Sequence, residues 1–245
     1  MKGALRATRI AAMLALAAWA GLSQAAPRVV VSNSALHTLV SALMSGVAKP
    51  ELLPDAEPAR LIGADMVVWV GPEAEQALAK ALQQVPSAHR RTVTLARYVP
   101  MLDATPGRPE AGKDPRFWLD PRLAKVAVDY LTPQLVKLDP DHFETYLDNE
   151  LRLRTKLRKL DAEVSGRLSP YRGHRVSGNF SRYLTHRVGV IATAGGESAT
   201  GAGTASLGPR TTEEYLAFLE QRANALAEAC QEVQTAQGGE LPTRL

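Results

Sequence analysis

Five histidines (His37, His89, His142, His174, His186) and a single cysteine, Cys230, are the side chains that could grip a transition metal. A stable zinc site takes three or four N, O or S ligands in a tetrahedron. No two of the histidines stand in the HxH or HxxxH spacing that aims two imidazoles at one point. His37 sits among Leu36, Leu39 and Val40 on an amphipathic helix, where it reads first as a satisfied boundary histidine and second as a ligand. His142 falls in the first turn of a long helix and reads as solvated, while a strand and a helix could bring His174 and His186 together. Cys230 lies near Leu226 and Val233 in the last helix and reads as a small packing residue, since the sequence offers no basic neighbour to activate it. One cysteine also excludes an internal disulfide and argues against a thiolate cluster. There is no GxSxG elbow and no P-loop, and the glycines at Gly195-Gly196 and Gly201-Ala202-Gly203 lack the strand-to-helix context of a dinucleotide fingerprint. No nucleophile–base pair or poised acid–base pair can be named, so the chain does not read as an enzyme and no catalytic, cofactor-binding or metal residue is assigned.

The elements that would position any site follow from hydrophobic period and punctuation. Arg28 to Ser32, Asp65 to Val70 and Thr92 to Leu95 are buried-strand signals, with a short Leu-Leu strand candidate between Pro50 and Pro54. Ser34 is placed to cap a helix carrying Leu36, Leu39, Val40, Leu43, Met44 and Val47, a helical turn spans about Glu57 to Gly63, and Pro72 suits the first turn of another helix. This alternation predicts βαβ units and a parallel sheet. Pro100 to Asp114 reads as a loop. Asp120-Pro121 and Asp139-Pro140 each open a helix, and the second runs to about Leu168 with Phe143, Tyr146, Leu147, Leu151, Leu157, Leu160, Val164 and Leu168 as one packing stripe. Such a helix predicts a spine between two lobes. The second lobe is reduced: weak strands at His174–Gly178 and Val188–Thr193, a short helix at Ser181–His186, a polar Gly-rich loop over 194–208, and a last helix opened by Thr211-Thr212-Glu213-Glu214 and running to about Val233. The predicted fold class is therefore α/β, two lobes with parallel sheets flanked by helices and joined by one long helix, divided as residues 26–138, 139–168 and 169–245.

Residues 1–25 read as an export signal. Lys2, Arg6 and Arg9 precede the apolar run Ile10–Leu22, and Ser23-Gln24-Ala25 supplies small residues for cleavage; a retained anchor is the other reading. No other stretch is long and apolar enough to cross a bilayer, so the mature chain is expected to be exported, periplasmic and not membrane-embedded. Of the +4 net charge, three positive charges belong to this segment, which leaves a nearly neutral remainder. With only 5% aromatic residues, nothing points to a nucleic-acid partner.

Several strings taken in order carry a resemblance: VVVSNSALHTLVSALMSGV, ELLP, GADMVVWVGPEAEQAL, DPRFWLDPRLAKVAVDYLTPQLVKLDPDHFETYLDN and SLGPRTTEEYLAFLEQRANALAEAC. Together they resemble the periplasmic substrate-binding proteins of zinc and manganese ABC transporters, most closely the zinc-uptake type, in a shortened form. The resemblance implies two α/β lobes on a long rigid helix, a metal ion held in the cleft as cargo, zinc foremost, and an ABC permease as partner. It also implies where imidazole ligands would stand. The first would follow the LLP string, but Pro54-Asp55 runs almost directly into Ala56-Glu57-Pro58. The second would stand two residues before Trp118, where this chain has Arg116, and the third falls on Gly178. The His-rich loop of such proteins would lie between Met101 and Lys113, which holds no histidine. Three readings follow. The chain is an exported homologue in zinc uptake that lacks the ligand set; or it is a periplasmic interaction or adaptor protein on the same scaffold; or it holds an anion through Arg116 and the Gly-rich loop.

Overall fold

The computed structural model describes residues 26–53, 55–193 and 211–238. The segment read as an export signal and the Gly-rich loop 194–208 lie outside the described residues.

The N-terminal half runs β1 (Val29–Val31), α1 (Ser34–Leu43), β2 (Glu51–Leu52), α2 (Pro58–Leu61), β3 (Met66–Trp69), α3 (Gln76–Gln84), α4 (Pro86–His89) and β4 (Thr92–Thr94). The four strands form one parallel sheet in the order β2-β1-β3-β4. Successive residues of a strand point to opposite faces. Val29 and Val31 accordingly pack with Leu36, Leu39 and Leu43 of α1, while Val30 and Val67 pack with Leu61, Leu78 and Leu82 of α2 and α3. A sheet covered on both faces is why these strands are uninterrupted apolar runs in the sequence.

Two helix starts differ from expectation. Asn33 rather than Ser34 caps α1, its Oδ1 accepting the Leu36 N–H at 3.0 Å. The helix expected at Pro72 begins only at Gln76, because the chain after β3 first turns back: the Glu75 carboxylate accepts the Val70 N–H at 2.7 Å and the Glu75 N–H donates to the Gly71 carbonyl at 3.0 Å. Residues 100–114 are not simply a loop. They hold an antiparallel hairpin, β5 (Asp103–Thr105) and β6 (Arg108–Lys113), with Asp103 opposite Lys113 and those two side chains ion-paired. Neither Asp103–Thr105 nor Arg108–Lys113 carries an apolar alternation, so no period marks the hairpin.

Asp120 caps α5 (Pro121–Leu138) by accepting the Arg122 N–H at 2.9 Å. After a 3-10 turn over Pro140–His142 comes α6 (Phe143–Leu168), 26 residues and about 39 Å long at the α-helical rise. Tyr146, Leu153, Leu157, Leu160, Val164 and Leu168 are buried on its inner face. The single stripe expected from the sequence divides here: Phe143, Leu147 and Leu151 lie on a separate ridge and are 46%, 48% and 61% exposed.

The C-terminal elements are β7 (Arg175–Val176), α7 (Arg182–Val188), β8 (Ile191–Ala192) and α8 (Thr212–Gly238). β7 and β8 pair in parallel and form the sheet of the reduced second lobe. The Thr211 hydroxyl accepts the Glu214 N–H at 3.1 Å, the capping contact expected there, and α8 continues past Val233 to Gly238. Val176, Tyr183, Leu184, Val188, Tyr215, Leu219 and Leu226 join the same apolar cluster as β1, α1, α5 and α6. The reduced lobe thus completes its core against the long helix.

Candidate functional site

Ligands of open parallel sheets sit outside the carboxyl ends of the strands. At that edge Ser32 and Asn33 follow β1, and Val70 and Gly71 follow β3. Glu75 turns its carboxyl into this corner, with hydrogen bonds from the Val70 and Gly71 backbone and from the Ser32 and Asn33 side chains. Burial disfavours its charged form, and its pKa is raised even though every one of those hydrogen bonds pulls the other way. The only sequence signal for Glu75 is an acidic residue five positions beyond the strongest strand.

The second feature is an internal ion pair. Asp114 is fully buried and Arg116 is 9% exposed. Arg116 Nε donates to Asp114 Oδ1 at 2.9 Å, Nη2 donates to Oδ2 at 2.9 Å, and the Arg116 N–H donates to Oδ1 at 3.0 Å. This is the bidentate fork that suits a planar guanidinium. Asp114 follows β6 directly, so the hairpin delivers the carboxylate to Arg116. Arg222 of α8 stands near enough to feel Arg116: burial first, and then that positive charge, pull the Arg222 guanidinium below its ordinary range. Arg222 also lies over the Phe218 ring at 5.0 Å.

A third set of contacts ties the reduced lobe to the rest. The Tyr183 hydroxyl donates to the Asp114 carbonyl at 2.6 Å and accepts the Leu102 N–H at 3.1 Å. Arg182 donates to the Ala104 carbonyl at 2.5 Å. Arg187, 4% exposed at its side chain, pairs with the capping carboxylate of Asp120 at 3.4 Å and with Asp161 of α6, and donates to the Ser165 hydroxyl. Tyr215 of α8 donates to the Trp118 carbonyl at 2.5 Å. Burial raises the pKa of both tyrosines, so they remain protonated donors. Between the hairpin and α7–β8 lies a cleft of about 560 Å³ lined by Leu102, Asp103, Pro106, Arg182, His186 and Ile191, among others.

The histidines stand on separate elements. His37 on α1 places Nε2 3.0 Å from the Pro50 carbonyl, as a satisfied boundary residue does. His89 ends α4. His142 is part-exposed, with Nδ1 2.9 Å from Asp139 Oδ2. His174 meets the Tyr171 ring edge-on, and His186 faces the cleft just described. Cys230 is buried in α8, where desolvation raises its thiol pKa, against a nucleophilic role. Among the described residues no three His, Cys, Asp or Glu side chains form a group that could hold a metal ion. At the position where the resemblance puts a third imidazole, Gly178 has φ +154°, and a Cβ added there would lie 2.6 Å from Phe180 Cε2. A side chain at that position requires the Phe180 ring to move. Among the described residues no helix is long and apolar enough to cross a membrane.

Comparison with known proteins agrees with this architecture. Residues 29–223 match the family model described as ZnuA, zinc-uptake complex component A periplasmic. The high-affinity zinc uptake system protein ZnuA of Paracoccus denitrificans (strain Pd 1222) is 25% identical over 223 residues, covering 71% of this chain and 68% of that protein. Its counterpart from Brucella abortus (strain 2308) is 27% identical over 250 residues, covering 76% of this chain and 74% of that protein. In fold, a crystal structure of ZnuA superimposes with a TM-score of 0.64 at 18% identity, covering 84% of this chain and 100% of that one. The AdcAII protein of Streptococcus pneumoniae superimposes with a TM-score of 0.66 at 16% identity, with the same coverage.

Proposed function

Because the chain belongs to the periplasmic zinc-uptake component A family, we propose that it works in metal uptake, as an exported homologue of the binding protein of a zinc ABC transporter that has lost the family's metal-ligand positions. The Asp114–Arg116 pair carries this reading. The resemblance assigns a metal-binding imidazole to position 116, and a guanidinium held there by two hydrogen bonds puts a fixed cation where a metal cation would have to sit. Gly178, crowded by Phe180, supports it from the second lobe. In this reading residues 1–25 are the export signal, 26–138 the first lobe, 139–168 the connecting helix and 169–245 the reduced second lobe. The partner is an ABC permease. Zinc is the system's cargo, not a resident cofactor, and the chain catalyses no reaction.

A second reading is favoured by Tyr183, Arg187 and Tyr215, which bridge the C-terminal elements to the N-terminal half through their own hydrogen bonds and ion pair. A body already locked this way suits a periplasmic adaptor that presents one fixed surface to a partner. Growth of the host under zinc chelation tests the primary reading. Deleting the gene should slow growth in chelator, with rescue by added zinc. Growth that is equal with and without the gene at every chelator concentration would overturn it.

A further inference from the structure

The outer ridge of α6 is left uncovered by every other described element. Phe143, Leu147 and Leu151 stand at i, i+4 and i+8 and are about half exposed, Leu151 the most at 61%. That spacing makes one continuous apolar row. The exposed charges beside it are segregated along the helix: Glu144 and Asp148 come before Leu151, and Arg158 and Lys159 after it. Asp148 and Lys159 make only long, solvent-exposed pairs along the helix, with Arg152 at 3.9 Å and Glu163 at 3.8 Å.

We propose that this ridge is the docking surface for a second copy of the chain, the two α6 helices crossing antiparallel about a two-fold axis at Leu151. An axis at that residue sets each position opposite the one equally far on the other side. Glu144 of each copy then meets Arg158 of the other, Leu147 lies against Thr155, and the Phe143 ring closes the edge of the contact. Glu144 lies about 10 Å along the helix from the axis, the same distance as Arg158 on the other side. A parallel pairing would instead set Glu144 against Glu144 and Arg158 against Arg158. The self-complementary acid-then-base order selects the antiparallel two-fold arrangement, the isologous contact typical of homodimers. Three apolar anchors and two charge pairs make a small interface, so association is on the order of tens of micromolar.

Sedimentation velocity on the full mature chain from about 5 to 500 µM tests this, a range that brackets such an affinity. The expected result is a reversible monomer–dimer equilibrium. L151R, at an exposed position that leaves the fold intact by circular dichroism, abolishes the dimer. E144R and R158E each weaken it by about tenfold or more, and the double variant E144R/R158E restores it, because swapped charges still complement each other across the axis. With Cys230 buried, L151C should cross-link with its own copy under mild oxidation far faster than E73C, at an exposed position away from the ridge. A chain that stays monomeric throughout, a dimer indifferent to L151R, or a charge swap that does not restore association would overturn the proposal. The last two would assign assembly to another face, and the first would leave the ridge to a different protein.

Discussion

Asp114→Ala is the perturbation that bears hardest on the site. The carboxylate is fully buried, and the Arg116 side chain it serves is 11% exposed, so solvent does little to replace what is lost. The substitution removes two side-chain hydrogen bonds and one to the Arg116 N–H, and a buried guanidinium loses its carboxylate. Removing one partner of a buried pair costs about 3–5 kcal/mol; the slight exposure of Arg116 favours the lower end, about 3 kcal/mol. At a urea dependence of about 2 kcal/mol per molar, the unfolding midpoint should fall by about 1.5 M. The paired replacement D114L/R116M should lose much less, because apolar side chains of similar volume often substitute for a buried pair at little cost. Equilibrium unfolding followed by tryptophan fluorescence reads all of this. A midpoint shift below about 0.5 M for D114A would refute the view of this pair as a buried lock.

Two further outcomes follow from the same geometry. Arg187→Met should destabilise by about 2 kcal/mol, because it removes one of the two guanidinium partners of the buried Asp120 carboxylate while Arg122 keeps the other, and hydrogen exchange should show α7 opening before the N-terminal sheet does. Glu75→Gln tests the corner at the strand ends through pH. Its folded pKa lies above the ordinary 4.5, so the stabilisation that goes with the protonated form is complete below that value and is lost as pH rises through the folded pKa. The wild type should therefore lose stability relative to E75Q as pH rises above the ordinary 4.5, read from urea midpoints at each pH, and a difference that is constant with pH would contradict the assignment.

The sheet and the long helix were legible because their signals are local. Val29 to Val31 and Met66 to Trp69 are uninterrupted apolar runs, and Asp120-Pro121 is a helix start in itself. What was not legible depends on partners distant in sequence. Nothing near Arg187 announces Asp120, 67 residues away, nor does anything near Tyr183 announce Leu102. Glu75 gains its meaning only when β1 brings Ser32 and Asn33 beside the end of β3. The stripe of α6 was read as one face because Phe143, Leu147 and Leu151 continue a helical period. Periodicity marks apolar rows but not what covers them: Tyr146 of the expected stripe does face inward, while Asn149 and Leu153, outside it, take the inward positions in place of Leu147 and Leu151. At the candidate site, position 116 was legible as a cation, but its neutralisation by Asp114 two residues earlier required the turn after β6.

An internal guanidinium–carboxylate pair stands where the family resemblance places a metal ligand. Titration calorimetry of the mature chain with zinc should accordingly show no saturable site tighter than about 1 mM. A site that saturates near one ion per chain at micromolar or tighter affinity, and that survives in R116A, would show that the pair does not displace the metal.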